Sequence, residues 1–196
     1  MVEKVYLVRH GHIDTGGEKR YIGQTNLPLD ALGLEQARSL GDYFQTIPID
    51  AIFTSPLKRS LQTSHMICLA KNMHYESVEA LCEIDMGDWE NVEISYIKSR
   101  YPELYAQRGA NLEYFKTPHG ESFHDLEKRV KTAFYEIINT ATGTIIIVAH
   151  AGVNRMILSH ILGISIKDMF SIKQPYASVN ELIHHENGQW TSKKIV

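Results

Sequence analysis

Apolar residues follow two rhythms along this chain. Continuous runs at Val5 to Val8, Ala51 to Thr54 and Thr144 to Ala149 read as strands covered on both faces, because such strands have no solvent side for polar residues. Between the first two, Leu34, Ala37, Leu40 and Phe44 recur at helical spacing and predict a helix over 33–44. Further helices are predicted over 57–71, with Pro56 at the first helical position, and over 92–105, 121–141 and 152–162. A strand is read at 76–81, and two closing strands, 178–184 and 189–195, flank the turn Glu186-Asn187-Gly188. Residues 85–119, rich in charged and aromatic side chains, read as an excursion over the sheet.

Strands alternating with helices imply an α/β fold with three α/β/α layers, a mostly parallel central sheet and right-handed crossovers. No repeat, linker or low-complexity tract interrupts it, so 1–196 is expected to be one domain. Ligands of such sheets bind outside the carboxyl ends of the strands, which directs attention to what stands there.

The first run ends in Arg9-His10-Gly11, the second in Ser55-Pro56 with Lys58 and Arg59 just beyond, and the third in His150 with Gly152. Taken singly, these have plain readings: Arg59 as a solvated helix residue, His150 as a satisfied buried histidine. Together they place two arginines and two histidines beside helix N-termini, whose free N–H groups add positive potential. That combination suits a phosphate monoester, whose dianionic oxygens match the guanidinium fork. A histidine among fixed cations is held neutral, and one ring nitrogen can attack phosphorus if a hydrogen bond holds the proton on the other. The departing alcohol needs a proton, and "LCEIDMGDWE" offers Glu83, Asp85, Asp88 and Glu90 without spacing alone choosing among them.

Charge and composition narrow the alternatives. A net charge of -3 with no long run of one sign gives no nucleic-acid or membrane surface. The opening "MVEKVYLVRH" has too short an apolar run for a signal peptide, and no segment approaches a membrane span, so a cytoplasmic protein is expected. Cys68 and Cys82 form no CxxC pair and read as reduced packing thiols. The ten histidines invite a metal-hydrolase reading, but His184 and His185, adjacent on a strand, point to opposite faces. His119 and His124 belong to no His-Glu-x-x-His or Asp-rich set, and His65 and His160 read as surface or packing residues.

These residues and their surroundings resemble the histidine phosphatase superfamily, the phosphoglycerate mutase-like group. Arg9-His10-Gly11 resembles its signature, "YIGQTNLPLDALGLEQA" and "TSPLKRSLQTS" its next two blocks, and "LCEIDMGDWEN" its acid block. "HGESFHDLEKRV" resembles the Gly-Glu-Ser block with its later arginine, and "VAHAGVNR" the final histidine block. The resemblance implies that His10 is the nucleophile, Glu83 the general acid, and Arg9, Arg59 and His150 phosphate ligands, with Gly11, Gln24 and Ala151 also contacting substrate. It implies no metal and no organic cofactor. Two positions depart from the pattern: His12 stands where Glu or Gln is common, and Gly16 where Asn is frequent. Glu121 and Ser122 are read as supports of the site, with Ser122 equally suited to cap the long helix.

The implied activity is hydrolysis of a small phosphorylated metabolite, with the nearest resemblance to α-ribazole phosphatases and broad-specificity relatives. A phosphoglycerate mutase using the same nucleophile and a non-catalytic phospho-ligand binding module are the alternatives; a binder needs the arginines but neither His10 nor Glu83. Hydrolysis is favoured because the chain shows no tail to close over the phosphohistidine. A homodimer is carried as an expectation for the assembly.

Overall fold

The computed structural model describes residues 1–196. Its strands are β1 (Val2–Arg9), β2 (Ala51–Thr54), β3 (Glu76–Ser77), β4 (Gly143–Ala149), β5 (Val179–His184) and β6 (Trp190–Lys194). Its α-helices are α1 (Ala31–Phe44), α2 (Lys58–Lys71), α3 (Ile94–Arg100), α4 (Pro102–Ala110), α5 (Phe123–Thr140) and α6 (Ala151–Leu162). The sheet order is β3-β2-β4-β1-β5-β6. The first four strands run parallel, while β5 is antiparallel to β1 and β6 to β5.

The continuous apolar runs have a simple cause: alternate residues feed opposite cores. Val5 and Leu7 of β1, with Ile145 and Ile147 of β4, join a cluster that includes Leu126, Val130 and Phe134 of α5 and Val153 and Met156 of α6. Tyr6 and Val8, with Ile146 and Val148, face Leu40 and Phe44 of α1 and Ile67 of α2. Both faces of the sheet are thus covered, giving the three layers expected from periodicity. Cys68 and Cys82 are free and buried, and burial pushes both thiols up to about 11, as suits packing residues.

Several boundaries differ from the sequence reading. Helix α1 starts earlier, at Ala31, because Asp30 caps it by accepting from the Gly33 N–H at 2.8 Å. Pro56 is not the first residue of α2. The helix starts at Lys58, after Leu57 in an extended conformation, with the Leu57 N–H on Ser55 Oγ and the Lys58 N–H on Asn26 Oδ1. Only Glu76 and Ser77 of the expected 76–81 strand pair with β2; Glu79–Leu81 turn as a 3₁₀ segment, which carries Leu81 into the core at 0% exposure. The single helix expected over 92–105 is two, broken at Tyr101 (φ -131°, ψ 55°). Proline disfavours helical geometry at the residue before it and is at home at a helix start, so α4 begins at Pro102. The excursion is anchored by Trp89 and Ile97 in the main core, whereas α4 buries no residue fully.

Candidate active site

Strand β1 delivers His10 to the carboxyl edge of the sheet, where its N–H donates to Ala149 O and its carbonyl accepts from Ala177 N. The side chain is 3% exposed. Its Nδ1 lies 2.7 Å from the Gly11 carbonyl; a carbonyl can only accept, so Nδ1 carries the proton and Nε2 keeps its lone pair. Burial, then Arg59 and Arg9, hold the imidazole pKa well below the ordinary histidine value, leaving a neutral ring. Gly11 itself passes so close to the start of α1 that a Cβ would lie 2.5 Å from Gly33 O.

Arg59, on the first turn of α2, is 1% exposed. It donates Nη1 to Thr25 O at 2.7 Å, Nη2 to Gly23 O at 2.6 Å, and Nε to His150 Nδ1 at 3.2 Å. Two of a guanidinium's donors therefore stay uncommitted. Because His150 accepts at Nδ1, its proton sits on Nε2, which donates to Ser55 Oγ at 2.7 Å. Burial and the neighbouring Arg59, His10 and Arg9 hold this ring neutral as well. The two histidine rings meet edge to face at 5.1 Å. Arg9 donates Nη1 to Gln174 O and stacks 3.8 Å from the Tyr176 ring centre; its Nε is buried with no partner.

Of the four carboxylates in the acid block, only Glu83 borders the cavity of about 550 Å³ that Arg9, Ala151 and Tyr176 also line. It is 7% exposed. Oε1 accepts from Ile84 N at 3.0 Å, and Oε2 accepts from Gly152 N, in the first turn of α6, at 2.9 Å. Asp85 holds the Gly87 N–H, Asp88 faces solvent beside His119, and Glu90 is consumed by the backbone nearby. A buried imidazole with a free Nε2 beside two guanidinium groups, and a carboxyl that shares a cavity wall with one of them, can accept a phosphoryl group and protonate its departing alcohol.

The model of the histidine phosphatase superfamily, branch 1, matches residues 5–196. The chain belongs to that superfamily. Human 6-phosphofructo-2-kinase/fructose-2,6-bisphosphatase 3 is 31% identical over 180 residues, which are 91% of this chain and 33% of that protein. The bovine isoform 1 is 30% identical over 91% of this chain and 36% of its own length, so the chain spans about a third of the length of the curated relatives it matches. Among solved structures, the α-ribazole phosphatase from Shigella flexneri superposes with a TM-score of 0.89 at 21% identity, covering 98% of this chain and 95% of that one. Mycobacterial glucosyl-3-phosphoglycerate phosphatase complexed with VO3 gives 0.86 at 21% identity, covering 98% of each. At such identities the likeness shows a shared fold.

The superfamily member's site rests on supports drawn from the acid block and the Gly-Glu-Ser block. Glu90 accepts from the N–H groups of Gly23, Gln24, Thr25 and Met86 and from the Thr25 hydroxyl. Burial opposes its charge, but the Thr25 hydroxyl and the N–H groups outweigh burial and hold the carboxyl below its ordinary value. The loop so ordered presents the Gly23 and Thr25 carbonyls that grip Arg59. Arg129 of α5 pairs with both oxygens of Glu121 at 2.8 Å and donates to the carbonyls of Ala80, Cys82 and Glu83, fixing the backbone that carries the Glu83 carboxyl. Ser122 caps α5 in a capping box with Asp125, so Glu121 and Ser122 divide the two duties read from sequence.

The remaining sequence candidates scatter around this centre. Ala151 opens α6 and lines the cavity. Gln24 is exposed and reaches Glu83 O with its amide at 3.3 Å. Gly16 stands exposed in a turn with its N–H on Asp14, and His12 is held by Asp30. Tyr176, which touches Arg9, His10 and His12, lies in an irregular segment before β5 where periodicity carries no signal.

Proposed function

We propose that this protein hydrolyses phosphate monoesters of small metabolites through a phosphohistidine at His10. The observation that carries the reading is the Nδ1–H of His10 tied to the Gly11 carbonyl, which leaves a neutral Nε2 beside Arg9 and Arg59. In the first step Nε2 attacks phosphorus, the bond from phosphorus to the ester oxygen breaks, and Glu83 gives that oxygen its proton. In the second, water attacks the phosphoryl group, Glu83 takes its proton, and the nitrogen–phosphorus bond breaks to release phosphate and restore the imidazole. The free donors of Arg9 and Arg59 stabilise charge on the phosphoryl oxygens in both transition states. To join them as a phosphate ligand, His150 would exchange Ser55 for a phosphoryl oxygen. Ala151 borders the cavity, and Gly11 and Gln24 are proposed with it as substrate contacts.

Within this reading α-ribazole 5′-phosphate is the substrate placed first, supported by the acid-block resemblance and the likeness in fold to the Shigella enzyme. No helix is long and apolar enough to cross a membrane, which fits the cytoplasmic location proposed with it. Rapid quenching with labelled phosphate ester is the test. Wild type should yield an acid-labile phosphoenzyme labelled at His10, and His10→Ala should yield none while still binding vanadate. Turnover without label at His10 would refute the nucleophile. Accumulation of 2-phosphoglycerate from 3-phosphoglycerate faster than phosphate release would replace hydrolysis with mutase activity.

A further inference from the structure

Among the groups facing the cavity, His12 has one ring nitrogen explained and one unexplained. Its Nδ1 lies 2.5 Å from Asp30 Oδ2. The other Asp30 oxygen caps α1, so the ring is pinned to a helix end. Burial works against the Asp30 charge, but the Gly33 N–H and His12 hold its carboxyl below the ordinary value. The His12 ring packs edge-on against Tyr176 at 4.8 Å and borders the cavity, and its Nε2 has no hydrogen-bond partner in the protein. Charge farther out is balanced. Lys19 and Arg20 share the wall with Asp14 and Glu18. Arg20 is already held by Glu93, Thr15 O and Asn91 O. A second phosphate there would meet as many carboxylates as cations, whereas a hydroxyl, which both donates and accepts, would find a partner in His12 Nε2.

We infer that His12, oriented by Asp30 and walled by Tyr176, binds the leaving group, and that the leaving group is a neutral alcohol carrying further hydroxyls rather than one bearing a second phosphate. The inference rests on the phosphatase reading above. Ribose 5-phosphate and pentyl phosphate test it, because both release a primary alcohol and only one bears hydroxyls; fructose 1,6-bisphosphate adds a second dianion. Wild type should prefer ribose 5-phosphate over pentyl phosphate by about tenfold in kcat/KM, the worth of one or two hydrogen bonds, and over the bisphosphate as well.

His12→Asn places an amide nitrogen where Nδ1 stood, keeps the Asp30 contact and deletes Nε2. It should bring the ribose-to-pentyl ratio close to one, chiefly through KM for the sugar ester. Asp30→Asn, which loosens the ring, should move the ratio the same way and decides the matter if His12→Asn does not fold. An unchanged ratio, an equal loss on both esters, or a wild-type preference for the bisphosphate would overturn the inference. Labelling of His10 separates the two levels. If the phosphoenzyme forms while the ratio ignores both substitutions, only the leaving-group assignment fails; if no ester labels His10, the phosphatase reading fails with it.

Discussion

Replacing Gly152 with alanine should silence the enzyme on alkyl phosphates without unfolding it. A Cβ at this position would stand 2.2 Å from Glu83 Oε1 and 3.0 Å from its carboxyl carbon. Helix α6 cannot retreat, because Val153, Met156 and Ile157 are between 0% and 2% exposed in the main core. The carboxyl must therefore yield by about 1 Å, enough to cost on the order of 100-fold when a catalytic group is misplaced. Stability should change little. The lost bond from Gly152 N to Glu83 is worth about 1 kcal/mol, and alanine's helix preference over glycine returns about 0.5–1 kcal/mol. The assay pairs urea denaturation with kcat on ribose 5-phosphate and on nitrophenyl phosphate, whose leaving group departs without a proton. A large loss on the sugar ester and a small one on the aryl ester is expected. Wild-type turnover of ribose 5-phosphate, or equal losses on both esters, would refute the claim that Gly152 exists to seat the acid.

Glu83→Gln should show the same asymmetry more strongly, losing about 10²- to 10⁴-fold on alkyl esters and far less on aryl ones; the gap appearing in Asp85→Asn instead would relocate the acid. Glu90→Ala leaves four backbone N–H groups without an acceptor and frees the carbonyls that hold Arg59. It should cost about 2–4 kcal/mol in stability and weaken inhibition by phosphate, and a variant as stable as wild type would contradict that support role. His10 and His150 have depressed pKa values when folded, so their stability contribution is complete above an unfolded value near ~6.5 and is lost as pH falls below it. Urea midpoints should drop between pH 7.5 and 5.5, at up to about 1.4 kcal/mol per pH unit for each ring. His160 shifts the same way and exposed His119 the opposite. His10→Asn should flatten the slope, and a midpoint indifferent to pH would show that the rings are not held neutral.

Much of the frame was legible along the chain because local chemistry and tertiary demand coincide there. Runs such as Thr144 to Ala149 can only be strands buried on both sides, and Arg9, Arg59 and His150 follow such runs at the edge where an α/β sheet opens. Segments with weaker local signals were misjudged. Glu76–Leu81 carries apolar residues whose burial comes from a turn into the core, and 92–105 hides a break that Pro102 imposes on Tyr101. The choice of Glu83 over its neighbours by physical reasoning belongs to tertiary structure: Asp85, Asp88 and Glu90 have the same chemistry, and only the cavity, α6 and the loop at Gly23–Thr25 tell them apart. His12 and Tyr176 are likewise invisible as a pair, since 164 residues separate them along the chain. Periodicity reports which face of an element is buried, so sequence alone determined the layers and the strand ends. Which side chains converge depends on distances between segments far apart in the chain, and only the packed fold decides those.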